Sequence, residues 1–235
     1  MPKKRLGSIS FALLGLAGLA CQTQAGKGAE AEPAVEPPVE PQKPAVSPVS
    51  PGAEPAAVGK PAPDFALLDL DGRTVRLSEH KGKIVVLEWF NPECPYVKAA
   101  HTKGSLVGQA KTLGADGVVW LAVNSGAPGK QGAGIEKSRA GKQSFGLDHP
   151  ILIDESGAVG KLYGAKRTPH LYVIDAEGVL VYRGAVDNSP DGEGASPKGG
   201  TLVRYVPQAI EAVRAKKPVE VAETEAYGCS VKYGN

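Results

Sequence analysis

Residues 84–89, Ile-Val-Val-Leu-Glu-Trp, constrain the chain more than any other stretch. A strand that is apolar at almost every position must be covered on both faces, which suits the centre of a parallel sheet flanked by helices. The segments around it fit that demand. Residues 118–123 and 151–154 read as further strands, and 171–175 with 179–183 as a pair about the turn Glu177-Gly178. Residues 65–68 and 74–77 form a hairpin about Asp71-Gly72. A helix is expected from Cys94 toward Leu113, weakened by Gly104 and Gly108, with others over 135–145 and 158–163. The last spans 202–215, apolar at 202, 203, 206, 209, 210 and 213, where Pro207 requires a kink or a later start. There is no internal repeat. The pattern predicts one α/β domain over 58–215, a central mixed sheet flanked by helices, followed by a tail over 216–235.

Residues before the domain have a different character. The start is basic (Lys3, Lys4, Arg5) and leads into an apolar run from Ile9 to Ala20, so residues 1–20 read as a signal peptide, too short to span as a mature helix. Gly18-Leu-Ala-Cys21 resembles a bacterial lipobox, which makes Cys21 a candidate for lipidation and for a membrane anchor. Cleavage after Ala25 would instead give a soluble exported protein. Residues 21–57 carry eight prolines, Pro33 to Pro55, among Ala, Val and Glu with no aromatic residue, the composition of an extended disordered stalk.

Charge and cysteine usage narrow the function. The 27 basic and 25 acidic residues become 24 and 25 once residues 1–20 are left out, so no basic face for nucleic acid is expected. Three cysteines are too few for a disulfide scaffold. Cys94 follows the buried strand at a helix N-terminus, where unpaired backbone N–H groups and the helix dipole favour a thiolate. It is the candidate nucleophile. The Gly-rich stretch 125–134 lacks the Gly-Lys-Ser/Thr ending of a phosphate loop and reads as a mobile loop, as does 188–200, which is placed at the rim of the site.

These residues resemble the thioredoxin superfamily, in particular its extracytoplasmic redoxin branch, between peroxiredoxins of the thiol-specific-antioxidant type and membrane-anchored thiol–disulfide oxidoreductases. The resemblance covers 59–187. Gly59-Lys-Pro-Ala-Pro-Asp-Phe65 is similar to the family's opening segment, and Cys94 falls where its first active-site cysteine lies. Thr168-Pro169 resembles its cis-proline, and residues 171–184 resemble the hairpin that follows. The resemblance implies a thioredoxin-like fold and a thiol oxidoreductase without cofactor, acting on a peroxide or a protein disulfide and recharged by an external thiol.

Two departures matter. Cys94-Pro-Tyr-Val97 lacks the second cysteine of a Cys-x-x-Cys motif, and Asn91 stands where peroxiredoxins carry Thr. Cys229, in a C-terminal Gly-Cys-Ser-Val-Lys that resembles tails in this side group, is therefore the candidate resolving thiol. A flexible tail of this length can fold back at small entropic cost; otherwise Cys229 is an unpartnered thiol. Tyr96, Thr168 and Pro169 are expected to shape access to Cys94. Glu88 is either a buried proton-handling acid below Cys94 or a solvent-facing strand residue. Glu93 is expected to be solvated. His101 lies two helical turns beyond Cys94. Cys94, His170 and Cys229 form an alternative soft-metal set, for copper or zinc handling without turnover.

Overall fold

The computed structural model describes residues 48–50 and 52–234; the expected signal, Cys21 and the stalk up to residue 47 lie outside them. Seven strands form one mixed sheet in the order β2-β1-β5-β4-β3-β7-β8. At its centre, β3 (Val85–Trp89) runs parallel to β4 (Val119–Asn124), and β4 parallel to β5 (Ile151–Ile153). On its other side β3 pairs antiparallel with β7 (His170–Ile174), which pairs with β8 (Leu180–Gly184). The hairpin of β1 (Ala66–Asp69) and β2 (Thr74–Arg76) closes the far edge on β5.

Alternation along β3 divides the core. Val85, Leu87 and Trp89 face one layer with Phe65, Tyr163 and Tyr172, together with Val159 of helix α4 (Ala158–Leu162). Val86 faces the other, under α1 (Pro95–Thr102), which supplies Ala100, α5 (Tyr205–Arg214), which supplies Val206, Ala209 and Ile210, and α2 (Gln109–Ala115), whose Ala110 and Leu113 are partly buried. All five residues of β3 are buried, as its composition required. Helix α3 (Ile135–Ser144) sits beside β5, near a smaller cluster of Phe90, Cys94, Val97, Ala122 and Ile151.

Two expectations are corrected, and one is narrowed to the later start that it allowed. The helix expected from Cys94 to Leu113 is two helices, because the chain turns at Gly108, whose φ of 65° lies in the left-handed region that favours glycine. Helix α5 begins at Tyr205, which puts Pro207 in the first turn, where its missing N–H removes no helical hydrogen bond. Ordered packing also starts earlier than residue 58: Val49 bridges to Phe65, and Ala56 is buried with its N–H bonded to the Leu162 carbonyl.

The tail beyond residue 216 crosses the domain as a strap. Glu223 pairs with Arg183, and the Thr224 hydroxyl meets the Tyr182 hydroxyl at 2.7 Å. The Tyr227 hydroxyl donates to Asp187 at 2.8 Å, and the Tyr233 hydroxyl donates to the Ala165 carbonyl at 2.8 Å. Between those two tyrosines, β9 (Cys229–Ser230) pairs antiparallel with β6 (Arg167–Thr168), an element without a sequence-based expectation.

Candidate active site

Cys94 is the N-cap residue of α1, and Pro95 occupies the first helical position. The buried strand β3 delivers the chain to this point, and the turn between them is braced from outside. Asn91 Oδ1 accepts the Glu93 N–H, Glu93 Oε2 accepts the Gly132 N–H at 2.7 Å, and Asn91 Nδ2 donates to the Gln131 carbonyl. The Gly-rich stretch expected to be mobile is thus the brace of the turn before Cys94. It is fixed at its other end as well, where the Ala127 N–H donates to Lys232 of the tail. Glu93 is ion-paired to Lys137, and that contact, followed by the Gly132 N–H, holds its carboxyl below the usual range.

Cys94 has no exposed surface. Its Sγ lies 3.1 Å from the Thr168 carbonyl oxygen and 2.8 Å from Cys229 Sγ, with both cysteines free. Two features bring the second sulfur there. Thr168 stands opposite Cys229 in the β6–β9 pair, just before the cis peptide Thr168-Pro169. Gly228, at φ 110°, lets the strap lie against that corner: a Cβ there would run into the Thr168 carbonyl oxygen and stand 3.4 Å from Pro169 Cδ. Cys229 is partly exposed, and its thiol is pushed up to about 11 by burial and by the neighbouring Cys94. The Tyr96 ring packs 6.4 Å from that of Tyr227.

The remaining expected residues are placed elsewhere. Glu88 is fully buried on the α1 side of the sheet, accepting from His101 Nε2 at 2.7 Å and from Trp120 Nε1 at 3.0 Å. His101 lies seven residues along the chain from Cys94, or about 10 Å at the helical rise, so both Glu88 oxygens are engaged at the far end of α1. Burial alone would raise the Glu88 carboxyl, but the charge and hydrogen bond of His101 hold it below its ordinary value. The loop over 188–200 packs on the outside of α1, with Gly192 near Tyr96 and Ala99 and with Glu193 paired to Lys103.

The alternative metal set is not assembled: among the described residues, no three His, Cys, Asp or Glu side chains are grouped to hold an ion. His170 Nδ1 is instead within reach of the Tyr172 hydroxyl and the Lys166 N–H. The ring lines an open cavity of about 730 Å³ with Lys166, Arg167 and Arg183. Burial, with Arg183 and Lys166 nearby, pushes His170 down to about 4.

Sequence reasoning missed the residues that seat the strap. Gly228, Tyr227 with its acceptor Asp187, and Tyr233 act through contacts across 40 or more positions. Asp187 is itself buried and hydrogen-bonded by Ser105. The Gly-Cys pair in the tail was the one available signal, since glycine beside a reactive residue often marks a close backbone approach.

A helix capped by a cysteine after a central strand, with a Thr-cis-Pro corner against the sulfur and a sheet of this order, defines a thioredoxin-like protein. The chain belongs to the AhpC/TSA family, whose model matches residues 58–183, more than half of its length. Two solved structures superpose with a TM-score of 0.65: an uncharacterized conserved protein from Geobacillus kaustophilus, 30% identical, covering 77% of this chain and 95% of that one, and a hypothetical protein from Sinorhizobium meliloti, 27% identical, covering 77% and 97%. Among curated proteins, the thiol-disulfide oxidoreductase ResA of Geobacillus thermodenitrificans is 36% identical over 129 residues, which span 52% of this chain and 66% of that protein.

Proposed function

We propose that this protein is a thiol–disulfide oxidoreductase in which Cys94 and Cys229 cycle between two thiols and one disulfide. The observation that carries the proposal is the 2.8 Å approach of two free sulfurs 135 positions apart in sequence, at the N-terminus of α1 and against the Thr168 carbonyl. A bond between them requires the sulfurs to close to about 2.05 Å. Cys229 thus fills the role that a second cysteine at position 97 would play in a Cys-x-x-Cys motif.

The reaction has two exchanges. A protein disulfide is first opened to a mixed disulfide on one cysteine of the pair, and the other cysteine then attacks that sulfur, releasing the reduced substrate thiol and leaving the Cys94–Cys229 disulfide. An external thiol restores the dithiol form. Cys94, at the helix N-cap with its sulfur against that of Cys229, is the nucleophile that closes the pair. Thr168, Pro169 and Tyr96 shape the walls of the sulfur site. Glu88 enters as a positioning residue, holding the far end of α1 through His101. The similarity to a ResA protein supports disulfide exchange, and the enclosure of Cys94 by the strap favours it over direct attack on a peroxide. The signal-like residues 1–20 support export, with Cys21 as the lipid attachment point in the cell envelope.

The test is turnover of a model protein disulfide with an excess of dithiol reductant. Cys94→Ser is expected to reduce the rate to that of the reductant alone; unchanged turnover would rule out the mechanism.

A further inference from the structure

We infer that Cys229, in the strap, is the sulfur that exchanges with outside thiols, and that Cys94 is the internal partner. This inference rests on the redox pairing proposed above and assigns its two roles.

Thiolate attack on a disulfide runs in line with the sulfur–sulfur bond, so the attacking group must approach from the side opposite the leaving sulfur. Behind Cys94 that side is the protein interior. Cys94 has no exposed surface and packs among Phe90, Val97, Ala122 and Ile151, each at most 1% exposed. Cys229 alone of the pair has exposed surface, and it belongs to a strap lying on the outside of the domain. An incoming thiol can therefore align on Cys229 without the strap leaving, whereas alignment on Cys94 would require the core behind it to open.

The balance of the step follows. A partner thiolate forms a bond to Cys229 Sγ, the Cys94–Cys229 bond breaks, and its electron pair goes to Cys94 Sγ at the N-cap of α1. A second thiol of the partner then attacks the partner's own sulfur, releasing Cys229, which takes a proton from solvent. The partner dithiol is oxidised to a disulfide and the protein disulfide is reduced by two electrons. Clamping of the strap by Tyr227 and Tyr233 keeps Cys229 in reach of Cys94 while the partner is attached.

The experiment uses the wild-type full chain, so no variant has to fold. The chain is oxidised, the Cys94–Cys229 link is verified by non-reducing peptide mapping, and excess glutathione is added with acid quenching at early times. Peptide mapping is then expected to find the glutathione adduct on Cys229 at least about ten-fold over Cys94. A linked starting material that gives an adduct equally or mainly on Cys94 would overturn this assignment and leave the pairing intact. Failure to form the link at all would overturn both.

Discussion

Within β3, Glu88 is a single acid among four apolar neighbours, and its burial is tolerated because His101 and Trp120 each satisfy one oxygen. Removing one partner of such a buried pair leaves an uncompensated charge. His101→Ala is therefore expected to lower unfolding free energy by about 3–5 kcal/mol, measured by urea denaturation; a loss near zero would contradict the role given to the pair. Acid acts on the same region and on the strap side. His149, beside Glu88, is pushed down to about 4 by burial, partly opposed by the Glu88 charge, and His170 is likewise held near 4 by burial. The unfolded chain takes up protons at these histidines below its ordinary value of about 6.5, while the folded protein does not until about pH 4. Stability is thus complete above pH 6.5 and falls as pH drops toward 4, by roughly 2 kcal/mol per histidine between pH 7 and pH 5. Glu88 adds a further loss at lower pH, because its carboxyl is held below the ordinary value in the fold. Equal urea midpoints at pH 7 and pH 5 would contradict this. The sequence left Glu88 open between core and solvent, since one polar residue in an apolar strand fits either face until its partners, 13 and 32 positions away, are known.

The β6–β9 pair is the element on which the sulfur contact depends, and its seating rests on the missing side chain at Gly228. In Gly228→Ala the new Cβ meets the Thr168 carbonyl at a backbone conformation that alanine rarely adopts, so the strap must shift away from the Thr168-Pro169 corner. Displacement of one reacting sulfur by even about 1 Å is costly to a positioned reaction. The rate of Cys94–Cys229 disulfide formation is expected to fall about ten-fold or more, followed by loss of free thiol after a fixed dose of oxidant. An unchanged rate would show that Gly228 does not seat the sulfur. A two-residue strand has no periodicity, so the sequence marks this pair only through the Gly-Cys dipeptide of the tail. The long elements were legible for the opposite reason: β3, β4 and β7 each carry at least five buried positions, so their apolar runs stand out. The splitting of α1 from α2 lay between these cases, visible as Gly104 and Gly108 but decided by tertiary packing.

Across the whole molecule, the chain joins the first helix of the core to its last strand through the contact between Cys94 and Cys229. The sequence identified both thiols and treated their meeting as a choice between a pair and an unpartnered tail cysteine. A flexible tail would have made that meeting occasional. The strap instead fixes it through Glu223, Thr224, Tyr227 and Tyr233, contacts that no local pattern encodes because each partner lies on a distant element. At the same scale the fold brings Cys94 and Cys229 together while placing His170 Nδ1 against Tyr172 and Lys166. The redox pair is the central claim, and non-reducing peptide mass mapping of the full chain, before and after mild oxidation, tests it most directly. The account predicts a single Cys94–Cys229 link that appears on oxidation and disappears with a thiol reductant. Two free thiols after oxidation, or Cys94 linked to Cys21 or to a second chain, would contradict it.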